Sequence, residues 1–385
     1  MQKLSIALLT WGLKGGSLAN YTLALAQGFL EAGVEKIYLV YIARGPGEGV
    51  EIPSQVELVP LEAHRSRSAP FHIAKMINRL RPDVLISVSA FVNMPATIGW
   101  LLSGVRSTKL IVSQHSTMSY KAYVELKHDV KFRFQPLMAR LLYPRASAVH
   151  ANSQHVLDDL LYKIKIGVPT TRAFATANPV DAVRIRHHAQ APPTHPWLKT
   201  KEMPVILSVG RLAKQKNYPL LVEAFAKLRN QQPARLVILG EGPERQTLEQ
   251  QIRALNIKNW VSLPGFVSNP WAEMANADVF ALSSEEEPFG LVLVEAMACD
   301  LPIVSTHALG NGPQAVLGDG KYGRLISNAD AQCLASHLAS ILSDTALRSE
   351  LIQLGRKRCE DFEPQKIAQT WLSFIDKNII DKNIL

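Results

Sequence analysis

Two cations, Arg211 and Lys216, stand between a predicted strand and a predicted helix near the middle of the chain. The strand Pro204–Val209 runs into Gly210, and the helical pattern begins after Asn217, a residue suited to be its N-cap. Ligands of open α/β sheets bind at the carboxyl ends of strands, where a glycine lets a ligand approach the backbone. Arginine holds phosphate with a two-pronged fork, and lysine adds a point charge. The segment therefore indicates either a phosphate site or a basic turn that faces solvent.

Two glutamates eight residues apart, Glu287 and Glu295, form the second pair with chemical potential. Glu287 precedes the predicted helix Leu291–Cys299, and Glu295 falls in its second turn, so both can face one crevice. Because an unpaired buried carboxylate is costly, Glu295 is expected to have a polar partner. The preceding residues Glu285 and Glu286 are expected to be solvated.

The start of this helix adds a third feature. The backbone N–H groups of Phe289, Gly290 and Leu291 would lie at a helix N-terminus, where they have no partner within the helix. Such a terminus suits a phosphate group or a polar sugar oxygen.

Alternating strands and helices position these residues. Short apolar runs bounded by turn signals predict strands buried on both faces of parallel sheets. In the first half the predicted strands are Leu4–Thr10, Lys36–Ile42, Val84–Val88, Lys109–Ser113 and Ala148–Ala151. The pattern stops at the proline-rich segment Ala189–Pro196, which indicates a linker or an exposed loop. It restarts with the strands Pro204–Val209, Arg235–Gly240, Trp260–Leu263, Val279–Ser283 and Pro302–Thr306. The sequence thus predicts two α/β domains.

Length and composition agree with this division. A chain of 385 residues exceeds what one hydrophobic core usually holds, and 47% apolar with 19% charged residues is typical of a globular protein. The three cysteines include no C-x-x-C pair, which argues against a disulfide framework and favours a reducing cytosol.

The longest uncharged run, Val84–Val105, is long enough to suggest a membrane helix. Its polar residues argue otherwise, and Asn93–Pro95 is interpreted as a break between the strand Val84–Val88 and a helix from about Ala96. Because Met1–Gly12 lacks the features of a secretory signal, a cytoplasmic location is expected.

Positive charge is concentrated in the first half. Of the net charge of +9, residues 1–200 contribute 23 − 12 = +11 and residues 201–385 contribute 19 − 21 = −2. This asymmetry indicates either a solvated basic surface or an anionic partner. Nucleic acid is disfavoured because no recognisable binding motif accompanies the charge.

The motifs together resemble the retaining, nucleotide-sugar-dependent glycosyltransferases of family four. In the second half the resemblance is carried by Gly210-Arg211 with Lys216-Asn217, by Gly240–Pro243, and by Glu287–Gly290 with Glu295–Ala298. The first half is similar more weakly, at Gly15-Gly16, His115, Asn152-Ser153 and Asn178–Asp181.

The resemblance implies the GT-B fold, an α/β architecture of two facing Rossmann-like domains with the donor site in the cleft between them. Residues 1–185 would form the acceptor domain, completed by a C-terminal helix at about 364–385. Residues 186–363 would form the nucleotide-sugar domain.

It also implies roles for the second-half residues. Arg211 and Lys216 would bind the donor diphosphate and offset the charge that grows on the leaving group, Glu287 would contact the donor sugar, and Glu295 would accept hydrogen bonds from the ribose. The other donor-binding residues of this half would be Gly210, Val267 near the nucleobase, and Phe289, Gly290 and Leu291 through their amides.

In the first half, Gly15 and Gly16 would let a loop close over the diphosphate. His115 would lie near the reacting centre on the acceptor side and complete a catalytic set with Arg211, Lys216 and Glu287. One departure from the family pattern is Ala315, which stands where a glutamate is usual.

The implied reaction moves a hexose or N-acetylhexosamine, with retention, from a nucleotide diphosphate sugar to a lipid-linked or glycan acceptor of cell-envelope polysaccharide or glycolipid synthesis. Uridine is favoured as the base. No Asp-x-Asp motif ends a strand, so no metal is expected, and the nucleotide sugar is a co-substrate rather than a cofactor. The alternatives are a nucleotide-sugar epimerase or phosphorylase of the same fold and a non-catalytic sugar-nucleotide-binding protein.

A basic stretch with interleaved aromatic residues, Met118–Arg145, follows His115. Its cations are Lys121, Lys127, Lys131, Arg133, Arg140 and Arg145, and the apolar residues among them include Tyr120, Tyr123, Phe132, Phe134 and Leu137. Such a stretch is typical of a surface that lies in the headgroup region of an anionic membrane. Peripheral association with the inner face of the cytoplasmic membrane is therefore expected. The alternative is an ordinary helix pair with its aromatic residues in the core, and the oligomeric state is left open.

Overall fold

The computed structural model describes residues 4–14, 16–47, 50–61, 68–327 and 330–379. The chain forms two compact units, the first from residues up to Val180 together with those from Glu363 onward, and the second from Asp181–Phe362. The side chain of Asp181 accepts a hydrogen bond from the backbone N–H of Arg184 at 2.9 Å and so caps the first helix of the second unit. This division lies a few residues before the one proposed from the sequence.

The first unit is built on a seven-stranded parallel sheet. Its strand order is β3-β2-β1-β4-β5-β6-β7. The strands are β1 (Ser5–Gly12), β2 (Lys36–Arg44), β3 (Val56–Pro60), β4 (Val84–Val88), β5 (Lys109–Gln114), β6 (Ala148–Ala151) and β7 (Ala173–Ala175). The five predicted strands are confirmed. The two that the sequence missed, β3 and β7, are the short edge strands.

Helices cover both faces of this sheet, and successive residues of β1 enter two different cores. Leu8 packs with Phe29 on one face, whereas Leu9 packs with Ile73 on the other. The helices are α1 (Ser17–Glu31), α2 (Ala69–Leu80), α3 (Ala90–Ser103), α4 (Met118–Tyr120), α5 (Val130–Leu142) and α6 (Gln154–Asp158).

The predicted break at Asn93–Pro95 is wrong, because α3 begins at Ala90 and continues through it. Pro95 lies near the helix start and removes only one backbone hydrogen bond. The buried Asn93 amide donates at 3.0 Å both to the carbonyl of Ser113 and to the hydroxyl of Tyr143, so its polarity is satisfied inside the core. None of the helices in the described residues is long and apolar enough to cross a bilayer.

The second unit is built on a six-stranded parallel sheet with the order β10-β9-β8-β11-β12-β13. Its strands are β8 (Val205–Val209), β9 (Arg235–Leu239), β10 (Val261–Gly265), β11 (Val279–Leu282), β12 (Ile303–Thr306) and β13 (Arg324–Ile326). Its helices are α7 (Ala182–Ala189), α8 (Pro196–Lys199), α9 (Tyr218–Arg229), α10 (Arg245–Ala254), α11 (Pro270–Asn276), α12 (Leu291–Ala298), α13 (Gly312–Val316), α14 (Ala331–Ser343) and α15 (Thr345–Cys359). The five predicted strands of this half are confirmed, and the short β13 is additional.

The proline-rich segment Ala189–Pro196 is held within the second unit. The fully buried carboxylate of Glu273 on α11 accepts hydrogen bonds from the backbone N–H of Thr194 at 2.6 Å and from its hydroxyl at 2.7 Å. The segment is therefore a fixed connection between α7 and α8.

The last helix, α16 (Pro364–Asn378), returns to the first unit and packs on α1. A Cβ atom at Gly28 would lie 2.2 Å from the carbonyl oxygen of Pro364, so glycine allows the close approach. Trp371 of α16 is fully buried in the core of this unit.

Candidate functional site

The predicted donor residues lie on loops at the carboxyl ends of three neighbouring strands of the second unit. Residues 210–217 follow β8, residues 283–290 follow β11, and residues 307–312 follow β12. Because neighbouring parallel strands end at the same edge of a sheet, the three loops lie side by side.

Backbone hydrogen bonds join these loops. The N–H of Glu285 donates to the carbonyl of Gln215 at 2.8 Å, and that of Glu287 donates to Leu309 at 2.7 Å. In return, the N–H of Leu309 donates to Glu285 at 2.8 Å and that of Gly312 donates to Glu287 at 3.0 Å. The positions of the functional side chains are therefore set by the main chain.

Lys216 and Glu287 form a direct, largely enclosed ion pair, in which the side chains are 13% and 11% exposed. The hydroxyl of Ser284 also donates to Glu287 Oε2 at 3.3 Å, and that of Ser283 donates to the Lys216 carbonyl at 2.9 Å. The ammonium group is thus fixed by a carboxylate rather than free to follow a ligand. An anion bound here is attracted by Lys216, but the negative charge of Glu287 offsets part of that attraction.

Arg211 contributes an accessible positive charge to this cluster. Its side chain is exposed, while the neighbouring N–H of Gly210 donates to the carbonyl of Leu239 at 2.9 Å and fixes the start of the loop. The fork of a guanidinium group can bind two oxygens of a diphosphate at once. Arg211 and the Lys216–Glu287 pair therefore offer different electrostatic contacts to the same ligand.

Gly210 makes room for the pair. A Cβ atom there would lie 2.9 Å from the hydroxyl oxygen of Tyr218 and 3.3 Å from Cε of Lys216. Burial raises the pKa of Tyr218, so its hydroxyl remains protonated at physiological pH. A side chain at position 210 would displace the lysine stem or the tyrosine.

Asn217 occupies the predicted N-cap position of α9, but its side chain does not cap the helix. It adopts a left-handed conformation, with φ 46° and ψ 44°, and its side chain makes no capping hydrogen bond. Its N–H instead donates to the carbonyl of Lys214 at 2.9 Å and closes the short 3₁₀ turn Lys214–Lys216. The predicted position is confirmed, and the side-chain cap is missing because Asn217 is left-handed, whereas capping residues usually have an extended backbone.

The two residues before Glu287 differ from each other. Glu285 is exposed as expected, but Glu286 is only 2% exposed, so its predicted solvation is wrong. The physical reason is the backbone bridge between Glu286 and Leu309, which draws the chain inward at this point.

Helix α12 begins as the sequence predicts. Gly290 stands before its first residue, Leu291, with φ 86° and ψ 48°, a conformation that glycine adopts without strain. Phe289 is buried and packs edge-on against Phe362, with ring centroids 5.8 Å apart. This packing holds the amide groups at the helix start in place.

Glu295 is a buried residue of α12. Burial raises the pKa of the nearby Cys299 thiol, and the negative charge of Glu295 raises it further. Cys299 is therefore an unreactive thiol.

Val267 lies apart from this cluster. It follows β10, which is separated from β8 by β9, and it is half-buried next to the largely exposed Phe266. The end of β10 is nonetheless tied to the neighbouring strand, because the N–H of Gly240 donates to the carbonyl of Gly265 at 2.8 Å.

The predicted glycines of the first unit precede α1. Gly15 lies outside the described residues. Gly16 has φ 89° and ψ 166°, a region that only glycine adopts readily, and a Cβ atom there would have no neighbour within 4 Å. The glycine is therefore required by its backbone conformation rather than by close packing.

His115 follows β5 in the first unit and belongs to a hydrogen-bonded chain of polar groups. Its Nε2 lies 2.8 Å from Ser113 Oγ, which in turn lies 2.7 Å from Nδ1 of His150. The ring of Tyr21 packs edge-on against that of His115 at 4.4 Å. Desolvation lowers the pKa of His115 to about 3, so its imidazole is neutral at physiological pH.

Sequence reasoning missed Ser113, His150 and the contribution of residues 307–312 to the Glu287 loop. A sequence signal for a close approach existed in Gly310 and Gly312, and in the structure a Cβ atom at Gly312 would lie 2.4 Å from the Glu287 carbonyl oxygen. Ser113 and His150 are 37 residues apart and carried no such signal. In the described part of the chain, no group of three His, Cys, Asp or Glu side chains is placed to hold a metal ion.

Two family models match the chain, one in each half. Residues 15–184 match the model described as Glycosyltransferase Family 4, and residues 195–358 match that described as Glycosyl transferases group 1.

Named relatives are similar over most of the chain. The N-acetylgalactosamine-N,N'-diacetylbacillosaminyl-diphospho-undecaprenol 4-alpha-N-acetylgalactosaminyltransferase of Campylobacter jejuni is 31% identical over 268 residues, 70% of either chain. The lipopolysaccharide core biosynthesis glycosyltransferase LpsE of Rhizobium meliloti is 26% identical over 378 residues, which cover 94% of this chain and 96% of its own.

Solved structures show the same architecture. Anabaena Alr3699/HepE in complex with UDP and glucose has a TM-score of 0.74 at 20% identity, covering 97% of this chain and 99% of its own. Sucrose-phosphate synthase of Thermosynechococcus elongatus has a TM-score of 0.74 at 18% identity, covering 97% and 98%. The fold is GT-B, and with the sequence matches in both halves this chain belongs to the group 1 glycosyltransferases.

Proposed function

We propose that this glycosyltransferase moves a hexose or N-acetylhexosamine from a UDP-sugar to a lipid-linked or glycan acceptor, with retention and without a metal ion. The observation that carries the proposal is the set of joined loops at the ends of β8, β11 and β12. They place the exposed Arg211, the Lys216–Glu287 pair and the start of α12 at one edge of the second unit. This unit would bind the donor, and the first unit would bind the acceptor.

The relatives support the choice of substrates. The Campylobacter jejuni relative is named for transfer to a diphospho-undecaprenol-linked sugar, and the Rhizobium meliloti relative for lipopolysaccharide core biosynthesis. The solved structure of Anabaena Alr3699/HepE contains UDP and glucose. Cell-envelope polysaccharide or glycolipid synthesis with a UDP-sugar donor is therefore the pathway class that we propose.

The proposed reaction breaks the bond between the sugar C1 and the donor phosphate oxygen, which keeps the electron pair. The sugar passes through an oxocarbenium-like state, and the acceptor hydroxyl oxygen bonds to C1 on the face from which the diphosphate departs. The hydroxyl proton goes to the departing phosphate. Arg211, Lys216 and the amides at the start of α12 stabilise the growing negative charge because they are fixed in advance.

The remaining residues would complete the donor site. Glu287 would contact the donor sugar, and Glu295 would accept hydrogen bonds from the ribose. The nucleobase would lie near Val267, and Gly16 would approach the diphosphate. His115 would lie near the reacting centre.

Donor hydrolysis tests the proposal without knowledge of the acceptor. The protein is incubated with UDP-, GDP- and ADP-sugars in the presence of EDTA, and nucleoside diphosphate release is measured. We expect slow release of UDP from one of the UDP-hexoses or UDP-N-acetylhexosamines, and a sugar product whose first-formed anomer keeps the donor configuration. Arg211→Ala should slow the release by about 30-fold or more.

Each alternative gives a different result. Conversion of the nucleotide sugar to its epimer would indicate an epimerase, and sugar 1-phosphate formation with inorganic phosphate would indicate a phosphorylase. Tight UDP binding without turnover of any donor would indicate a binding protein. Release that stops in EDTA and returns with a divalent cation would contradict metal independence.

We also propose that α5 attaches the first unit to an anionic bilayer. Four apolar residues of α5 at positions i, i+4, i+7 and i+11 share one helix face and are between 48% and 64% exposed: Val130, Phe134, Leu137 and Leu141. The opposite side of the helix packs on the core through Gln135, Pro136, Ala139 and Leu142. Lys131, Arg133 and Arg140 are exposed on the same helix.

Anionic lipid fits this surface because the stripe is apolar and the charges beside it are positive. The stripe can enter the headgroup region, while each cation near the surface contributes about 1 kcal/mol of attraction to anionic lipid. Of the aromatic residues in this stretch, Phe132 packs on Phe91 with ring centroids 5.5 Å apart, whereas Phe134 faces solvent.

Liposome sedimentation tests the attachment. Binding to phosphatidylglycerol vesicles at low salt should weaken as salt rises, and should be lost when Lys127, Lys131 and Arg133 are replaced by Glu. The matched control reverses the same number of charges on exposed lysines of the second unit, Lys199, Lys258 and Lys357, and should bind like the wild type. Equal loss in both triple variants, or no binding at low salt, would contradict the proposal.

A further inference from the structure

His150 is a buried titratable group that the proposed reaction does not use. It lies on β6, fully excluded from solvent, with its ring 4.1 Å from that of Trp371 on α16 and 4.9 Å from that of Phe174. Desolvation places its pKa well below the usual value for histidine, so the ring is neutral. A neutral imidazole has one N–H and one bare nitrogen, and both are engaged here.

Two hydrogen bonds through Ser113 join His150 to His115, and a third joins His150 to Thr176. Ser113 Oγ lies 2.8 Å from Nε2 of His115 and 2.7 Å from Nδ1 of His150, and Nε2 of His150 lies 2.9 Å from Thr176 Oγ1. The serine is therefore the link between the two rings, and the threonine is the far end of the chain.

The number of protons in this chain restricts the tautomers. The Ser113 hydroxyl has one proton and can accept two hydrogen bonds. When it donates the proton to one ring nitrogen, it accepts from the other, whereas donation to the hydroxyl of Tyr21, which also interacts with Ser113, would let it accept from both rings and would give opposite tautomers. If it donates to His150 Nδ1, the proton of His150 is on Nε2, and His115 must donate through its own Nε2. If it donates to His115 Nε2, the proton of His115 is on Nδ1, and His150 must donate through its Nδ1. With the Ser113 proton between the two rings, both are therefore protonated at Nε2, or both at Nδ1.

We propose that Ser113, His150 and Thr176 are positioning residues that fix the ring of His115 and couple its tautomer to that of His150. Ser113 occupies Nε2 of His115, which leaves Nδ1 as the nitrogen that can meet a ligand. The edge-on contact with Tyr21 and the packing of His150 on Trp371 keep the rings from rotating.

The coupling has a chemical consequence. In one state Nδ1 of His115 donates a hydrogen bond, and in the other it accepts one. A ligand hydroxyl that selects either state at His115 also reverses the hydrogen bond between His150 and Thr176. The importance of this for catalysis rests on the proposed function, in which His115 meets the sugar.

Ring nitrogen NMR tests the coupling without any turnover. Histidine is labelled with ¹⁵N in the full chain, the two rings are assigned with His115→Gln and His150→Gln, and long-range ¹H–¹⁵N spectra are recorded near pH 7.5. We expect His115 and His150 to carry their protons on the same named nitrogen. Opposite tautomers in the wild type would overturn the proposal.

Two variants probe the link and the far end. Ser113→Ala should release His115, so that its two nitrogen shifts move towards the average of both tautomers. Thr176→Val should change the tautomer ratio at both rings together. Unchanged His115 signals in Ser113→Ala, or a Thr176→Val effect confined to His150, would overturn the coupling.

A matched serine gives the control. Ser305 is equally buried on β12 of the second unit, and its hydroxyl donates to the carbonyl of Thr306 at 3.1 Å. Ser305→Ala removes the same atoms and should leave both tautomers as in the wild type.

Turnover separates this proposal from the proposed function. With a UDP-sugar that the wild type hydrolyses, Ser113→Ala should lower kcat about tenfold and change KM for the donor less, as expected for a misplaced group. Should the wild type turn over no nucleotide sugar, the proposed function fails, while the NMR spectra still decide whether the histidines are coupled.

Discussion

The two units position their functional groups by different means. In the second unit, charged side chains stand on three loops joined by main-chain hydrogen bonds, and the central contact is the Lys216–Glu287 ion pair. In the first unit, the central groups are neutral imidazoles linked through the Ser113 hydroxyl. One region holds charge ready for a charged ligand, whereas the other excludes charge and fixes hydrogen-bond directions.

This difference predicts different responses to mutation. Removing one member of a largely enclosed ion pair leaves a charge without a partner, which affects both stability and chemistry. Removing a link of a neutral chain costs less, since no charge is left uncompensated. Variants in the second unit should therefore have the larger effects.

The largest effect is expected for Lys216→Met. It removes a cation from the proposed leaving-group site, so kcat/KM should fall by an amount equivalent to about 2–4 kcal/mol of transition-state stabilisation. It also leaves Glu287 unpaired, so the free energy of unfolding should fall by about 2–3 kcal/mol. Urea unfolding and donor hydrolysis are the measurements. The double variant with Glu287→Gln should regain most of the stability and none of the activity, and failure to regain stability would show that the pair is not the cause.

Arg211→Ala should lower kcat/KM by a similar factor, equivalent to about 2–4 kcal/mol of transition-state stabilisation, without lowering the free energy of unfolding. The physical reason is that its side chain is exposed, and surface substitutions usually change stability by less than about 0.5 kcal/mol. Arg211→Lys keeps the charge but loses the fork, and should recover part of the activity. Turnover that remains at the wild-type level in Arg211→Ala would remove this residue from the donor site.

Features that depend on local sequence could be predicted, and features that depend on contacts between distant segments could not. Ten strands of the two sheets were predictable because their apolar runs are local, and the placement of Arg211, Lys216 and Glu287 at strand ends was predictable because they stand in short motifs there. The left-handed conformation of Asn217 was not, since it accompanies closure of the 3₁₀ turn Lys214–Lys216, which the local pattern did not indicate. The burial of Glu286 was not, since it depends on a bridge to the loop after β12. The link between Ser113 and His150 depends on the pairing of β5 with β6, which the local pattern does not specify.

Acidification should lower the free energy of unfolding because the buried imidazole of His115 stays neutral in the folded chain. His115 has a folded pKa of about 3 against an ordinary 6.5, so below pH 6.5 the unfolded chain binds a proton that the folded chain does not. Stability should therefore fall as pH decreases, by about 2 kcal/mol for this residue between pH 7 and pH 5. His115→Gln should reduce the loss measured by urea unfolding by about that amount, while replacement of the exposed His128 by Gln provides the control. An identical pH dependence in wild type and His115→Gln would contradict the prediction.

The smallest contrast lies within the proposed donor site, between its two glutamates. Glu287→Gln replaces the carboxylate that fixes Lys216 by a neutral amide. We therefore expect turnover to fall by about tenfold or more while the Kd for UDP changes little. Glu295 is proposed to hold the ribose, so Glu295→Gln should weaken UDP binding by about 1 kcal/mol and leave turnover at saturating donor nearly unchanged. Calorimetric titration of UDP and steady-state hydrolysis measure the two quantities. If Glu287→Gln instead loses UDP affinity and Glu295→Gln keeps it, the two roles are reversed. Equal losses of UDP affinity and of turnover in both variants would mean that the two glutamates do not have separate roles.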